Sequence, residues 1–222
     1  GWQVDVLTNN RRAAESQAKL TSVDGPQAST AVTELLFPKT GPTTRSEPPP
    51  EPMRLLYVDV LTRLADPVAV QTLIRLSIGD ASPEIREKCL DALRKIAPRA
   101  ATFGYIKLLA SDNPEEINKA GRALAAIQDE AAILPLIERV VSKHKRQSGG
   151  SNATNVDFNN QGGGYTLGTA KPTQVEVVSR NPDVLGALTA ITSQNFQYDK
   201  LAWLNWYAQK YYPPAGDLRR DP

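Results

Sequence analysis

The chain has one cysteine, Cys89, and one histidine, His144, among its 222 residues. A single cysteine excludes an internal disulfide. A single histidine excludes multi-histidine metal centres, and it leaves a Cys/His pair to chance proximity across the fold. Long apolar runs are also missing: none approaches the ~20 residues of a membrane-spanning helix. Residues 1–7 show no charged stretch leading into an apolar core, so they are expected to be folded sequence rather than a signal peptide. Charge of one sign is scarce, with 26 basic and 24 acidic residues and a net charge of +2. Only residues 142–181 are biased, with 5 basic against 2 acidic groups. That is thin for a nucleic-acid or membrane patch and is expected to be a solvated loop.

What the sequence does have is a repeat. Ile85-Arg86 stands 32 positions after Met53-Arg54, and Ile117-Asn118 stands 32 further on. Asp112-Asn113-Pro114-Glu115 follows Asp80-Ala81-Ser82-Pro83 at the same offset. Self-similarity at this period is the mark of a solenoid, in which each unit buries its apolar stripe on its neighbours.

Each unit carries two helical stripes. In residues 53–64 the positions Met53, Leu56, Tyr57, Val60, Leu61 and Leu64 follow the i, i+3, i+4, i+7 pattern of one buried face. Ile85, Cys89, Ala92, Leu93 and Ile96 repeat it, as do Ile117, Ala120, Gly121, Leu124 and Ile127. Gly121 and Ala125 suggest a close crossing against a neighbouring helix. Second helices open at Asp66-Pro67, Pro98 and Asp129-Glu130. Their inward faces are Val70, Leu73, Ile74 and Ser77, then Tyr105, Ile106, Leu108 and Leu109, then Ile133, Leu136, Ile137 and Val140. Proline in a first turn loses no hydrogen bond, and an acid there complements the helix dipole. Residues 53–141 are therefore expected to hold at least five helices and no strand. A looser copy covers residues 13–37, with Ala28, Val32 and Leu35 inward. The proline-rich residues 38–52 read as an extended connector.

The array is interrupted at residues 148–180. Glycine clusters at Gly149-Gly150 and Gly162–Gly164 flank three pieces with strand alternation, at 156–158, 165–167 and 175–177. They predict a projecting β-hairpin, with the second glycine cluster at its turn. Residues 182–212 return to helix, with Val184, Leu185, Leu188 and Ile191, then Asp199 capping a segment that holds Trp203, Trp206, Tyr207 and Tyr211. They are expected to cap the array, as Trp2-Gln3-Val4 would at the other end. Residues 213–222 read as a disordered tail.

The units resemble HEAT repeats, in the short HEAT-like form common in bacteria. Pro67, Asp80 and Arg86 match that family's proline, turn aspartate and second-helix arginine in order. Pro98 and Asp112 match in the next unit, where Asn118 replaces the arginine; Arg54 lacks its aspartate because position 48 is proline. The resemblance covers residues 10–141. The stretch Asn195-Phe196-Gln197-Tyr198-Asp199 with Trp203 and Trp206 looks like the end of large bacterial HEAT-repeat envelope proteins. The resemblance implies an all-α, right-handed α-solenoid of about 3–4 helix pairs, a single domain over residues 1–212. It also implies a bacterial envelope or secreted location, with no activity or cofactor attached.

Chemistry-bearing constellations are sparse. Cys89 lies on a core stripe and His144 at a helix exit, in Lys143-His144-Lys145-Arg146, where cations suit the dipole. Glu115-Glu116 and Asp129-Glu130 sit at helix starts, where carboxylates cap N–H groups. Asp80 and Arg86 are expected to pair structurally. The glycine cluster lacks the lysine and following helix of a phosphate loop. The chain therefore reads as a non-enzymatic scaffold for another protein, with no catalytic, metal or cofactor residue and no nucleic-acid partner. Its candidate contact residues are Phe158 and Tyr165 on the hairpin, Lys143, Lys145 and Arg146 at its root, and Trp206 on the tail helix. The alternative is a nucleic-acid-associated or base-processing HEAT-like protein, since some HEAT-like proteins are DNA glycosylases. The charge balance argues against it.

Overall fold

The structure is a computed structural model that describes residues 27–37, 48–148, 155–156, 167–168 and 173–213. It is mostly helical. The helices are α1 (Ala28–Leu36), α2 (Glu51–Leu64), α3 (Pro67–Gly79), α4 (Pro83–Ile96), α5 (Pro98–Leu109), α6 (Pro114–Ile127), α7 (Ile133–Arg139), α8 (Pro182–Thr192) and α9 (Lys200–Tyr211). A single 3₁₀ turn, Glu130–Ala132, leads into α7. Four strands, β1 (Val141–Ser148), β2 (Asn155–Val156), β3 (Leu167–Gly168) and β4 (Thr173–Arg180), separate α7 from α8.

The helix boundaries follow from local chemistry. Proline occupies the first turn of α2, α3, α4, α5, α6 and α8. The residue before it caps the helix in three of these: Asp66 accepts from the Ala69 N–H at 2.8 Å, Ser82 from Ile85 and Asn113 from Glu115. Asp129 and Asp199 cap the 3₁₀ turn and α9 in the same way. Proline there supplies a preset φ, and the cap satisfies an otherwise unpaired donor. Pro52 lies inside the first turn of α2, so helix begins at Glu51, within the stretch expected to be an extended connector; residues 38–47 of that stretch lie outside the described residues.

The buried faces are those the periodicity marks, with shifts at the edges. Tyr57, Val60, Leu61, Ile85, Cys89, Leu93, Ile117, Leu124, Leu73, Ile74, Tyr105, Ile133, Leu136 and Ile137 are all in the core. Met53 is exposed instead, and Val58 takes its place in the core. In α1, Leu35 is 51% exposed while Leu36 is buried, because a helix that buries Ala28 and Val32 brings position 36 to the same face. Residues 1–26, with the Trp2 end cap, lie outside the described residues.

The helices pack in order. From α1 to α5 the principal contacts of each are with the next helix and the next but one. Side-chain bonds span similar distances along the chain. Arg94 Nε donates to the Ala126 carbonyl, 32 residues on, at 3.0 Å; Ser82 bonds Glu51, and Lys88 bonds the Leu55 carbonyl. Asp80 does not pair with Arg86 through its carboxylate. Arg54 of the preceding unit takes it, with Nε to Oδ2 at 2.9 Å and Nη2 to Oδ1 at 3.0 Å, in a pair only 13% and 5% exposed. Arg86 donates instead to the carbonyls of Asp80 and Ala81. Arg54 finds its aspartate one unit ahead, which a reading confined to single units overlooks.

The order of contacts continues across the strands. α6 packs heavily on α8, α7 touches α8, and α9 closes on α7. α8 thus packs against helices that precede the strands, and the strands lie between α7 and α8 along the chain. β1 begins at Val141, so residues 53–141 contain six helices and the first residue of a strand.

Candidate interaction surfaces

β1 and β4 pair antiparallel over eight residues each, from Val141 opposite Arg180 to Ser148 opposite Thr173. β2 pairs with β3 further out, Asn155 opposite Gly168 and Val156 opposite Leu167. The expected hairpin is thus two separate two-stranded ladders. The pieces around Val156 and Leu167 do pair, as the glycine cluster implies, but the piece at 175–177 pairs with 144–146. Lys143-His144-Lys145-Arg146 is accordingly strand and not a helix exit. Its charged residues carry no strand periodicity of hydrophobicity. The apolar residues lie on β4 instead, where Val177 and Val178 are 38% and 61% exposed.

In β1, Ser142 and His144 are buried and Lys143 is exposed, the alternation of a strand with one covered face. Lys143 reaches diagonally to Glu176 at 3.5 Å, and Val178 opposite it is 61% exposed. An ion pair this exposed contributes little to stability. Lys145 and Arg146 stand opposite Glu176 and Val175 in the register. Phe158 and Tyr165 lie outside the described residues.

A chain of buried amides and hydroxyls fixes the root of this ribbon. Asn181, fully buried, donates through Nδ2 to the Arg139 carbonyl at 2.7 Å and to Ser142 Oγ at 3.0 Å. Its own N–H bonds the Val140 carbonyl. Ser142 Oγ lies 2.6 Å from His144 Nε2. On the helix side, Asn118 Nδ2 donates to Asn181 Oδ1 at 3.4 Å, and Asn118 Oδ1 accepts the Asp183 N–H at 3.0 Å. Arg122 pairs with Asp183 beside it. The His144 Nδ1 atom is buried without a hydrogen-bond partner among the described residues. Sequence reasoning missed this network. Its one visible signal was Asn118 standing where the repeat calls for arginine: a short amide fits the N-terminus of α8, and a guanidinium would not.

At the far end, Trp203 is fully buried, donates Nε1 to the Gln197 carbonyl at 2.9 Å and meets Phe196 edge-on at 5.0 Å. Trp206 is half-buried, perpendicular to Trp203 at 6.1 Å, with Lys210 Nζ 5.4 Å from its ring. Tyr211 and Lys210 both bond Glu130, which ties α9 to the start of α7. These bonds to Tyr211 and Glu130 hold the Lys210 ammonium above its ordinary range. The aromatic cluster is therefore mainly packing, with Trp206 only half-buried.

Cys89 is buried, and burial pushes its thiol up to about 12. A thiol held protonated there cannot serve as a nucleophile at neutral pH. Tyr105 is likewise raised by burial, and its hydroxyl bonds Ser77 at 2.6 Å. Among the described residues no group of three His, Cys, Asp or Glu side chains is placed to hold a metal ion, and no helix is long and apolar enough to cross a membrane. In comparisons with known proteins, no family model matches the chain, and neither a curated protein nor a solved structure matches it.

Proposed function

We propose that this chain is a non-enzymatic scaffold in which HEAT-like helix pairs stack as an α-solenoid and present the inserted ribbon to another protein. The observation that carries this reading is the order of packing. Contacts run between near neighbours in the helix series, and α8 resumes that series after the strands. A stack of this kind is stabilised locally and leaves extended faces free for recognition. The ribbon adds about 26 Å of paired strand, at roughly 3.3 Å per residue over the eight-residue ladder. Its root is held by the Asn118–Asn181–Ser142 network, so a partner would meet a positioned element rather than a loose loop.

The test is capture followed by reconstitution. Tagged chain is purified from its native host, co-purifying proteins are identified by mass spectrometry, and the complex is rebuilt from purified components. The scaffold reading expects one stoichiometric partner that survives reconstitution. Failure of every candidate to re-form a complex, together with turnover on a hydrolase substrate panel, would overturn it.

A further inference from the structure

A groove of about 1030 Å³ runs between α1, α3 and α5. Its walls include Phe37, Val68, Ile74 and Phe103, and its charged residues are Arg75 and Lys107. Phe103 is 62% exposed and Val68 41%, although both lie on helices whose other apolar residues are mostly covered. α3 and α5 meet at its floor, where a Cβ placed on Gly104 would come within 2.7 Å of Ile74 Cδ1. The rim is open, since a Cβ on Gly79 meets nothing within 4 Å.

The charge of the α3 and α5 walls is one-sided, and α1 adds a single carboxylate, Glu34. Neither α3 nor α5 contains a single Asp or Glu, whereas α2, α4 and α6 each carry at least two. Arg99, Phe103 and Lys107 follow i, i+4, i+8 and so share one face of α5. Arg75 Cζ lies over the Phe37 ring, 3.7 Å from its centroid. A guanidinium stacked this way keeps its N–H edge for a planar carboxylate. Among the described residues no carboxylate pairs with Arg75, Arg99 or Lys107.

We infer that this groove is a docking site for a segment of another protein that carries large apolar side chains beside carboxylates, bound as an amphipathic helix in a groove. The inference rests on the scaffold reading above but not on the ribbon. Shape favours a protein segment over a lipid surface, because the apolar residues line a concavity and do not project from a convex face. Charge favours an acidic segment over a basic one, because Arg75 and Lys107 line the groove and no carboxylate on α3 or α5 offsets them.

The probe is a fluorescein-labelled amphipathic peptide with a Leu/Phe stripe and glutamates on its other face. The control has every glutamate replaced by lysine. Binding to the full chain is read by fluorescence anisotropy. The acidic peptide is expected to bind and the lysine peptide to bind at least about tenfold more weakly. Gly79→Trp, which fills open space, and Phe103→Glu, at an exposed position, should each weaken the acidic peptide at least about tenfold. Both variants should keep the wild-type circular dichroism and melting. Equal binding of both peptides, or binding untouched by both variants, overturns the proposal. So does binding of anionic phosphatidylglycerol vesicles that depends on these residues without peptide binding, which would make the face a membrane contact. A concentration-dependent mass that Gly79→Trp abolishes would assign the groove to a second copy of this chain. A groove-blocked chain that still forms the reconstituted complex, while the acidic peptide fails to bind, sinks the groove and leaves the scaffold standing.

Discussion

Gly121 tests the placement of α8 more sharply than any other single residue. A Cβ added there would lie 2.8 Å from the Val184 nitrogen, 2.9 Å from the Asp183 carbonyl carbon and 3.0 Å from its oxygen. These are backbone atoms at the start of α8, so no rotamer change can relieve the contact. Gly186, on α8 itself, provides the matched control, since a Cβ there meets nothing within 4 Å. Replacing a mid-helix glycine by alanine gains about 1 kcal/mol of helix propensity at either site. At Gly186 only that gain applies, so Gly186→Ala should stabilise by about 1 kcal/mol. At Gly121 overpacking costs roughly 1–3 kcal/mol or more, and the backbone contact places it at the upper end. The net for Gly121→Ala is a destabilisation of about 1–2 kcal/mol. For a chain of this size each kcal/mol moves the melting temperature by about 2–4 °C. Urea titration of the two variants beside wild type measures both shifts. If Gly121→Ala stabilises as much as Gly186→Ala, α8 does not cross α6 there and the strands are not an insertion within the stack.

Three further predictions address the core and its joints. Leu93→Ala should cost about 2–5 kcal/mol by chemical denaturation, as truncation of a fully buried leucine between helices; a loss under about 0.5 kcal/mol would mean the α4 face is misassigned. Asp80→Ala should cost about 3–5 kcal/mol because it leaves Arg54 nearly buried without its carboxylate, and Arg54→Met with Asp80→Leu should recover much of that loss. Gln128→Gly should stabilise by about 1 kcal/mol, since Gln128 closes α6 with φ of 60°, a left-handed conformation that costs a side-chain-bearing residue and not glycine.

The repeat made the helices legible because each buries one stripe, and a stripe is a local property of the sequence. Ile85, Cys89 and Leu93 could be placed in the core without knowing what covers them. The Gly121 crossing was also legible, since small residues on a buried face have few other uses. What escaped was anything decided by a distant segment. β1 carries lysines, arginine and histidine where an isolated strand would alternate apolar residues, and only its pairing with β4 makes it a strand. Asp80 looked like the partner of Arg86 in its own unit, but the geometry delivers it to Arg54. The Asn118–Asn181 contact joins positions 63 apart, and the polar groups involved had no periodicity to betray them. The groove residues were passed over because Val68 and Phe103 lie off the stripes, where an exposed apolar side chain is ordinary when single.

The account stands or falls on the ribbon being an insertion that the helical stack does not need and the partner does. Residues 149–172 are replaced by a short Gly/Ser link that leaves β1 and β4 joined, and the shortened chain is compared with wild type by circular dichroism, melting and reconstitution with the captured partner. The account predicts an unchanged helical signal, a melting temperature within about 2–4 °C of wild type, and a complex weakened at least about tenfold. A shortened chain that loses cooperative melting, or one that binds the partner as tightly as wild type, would contradict it.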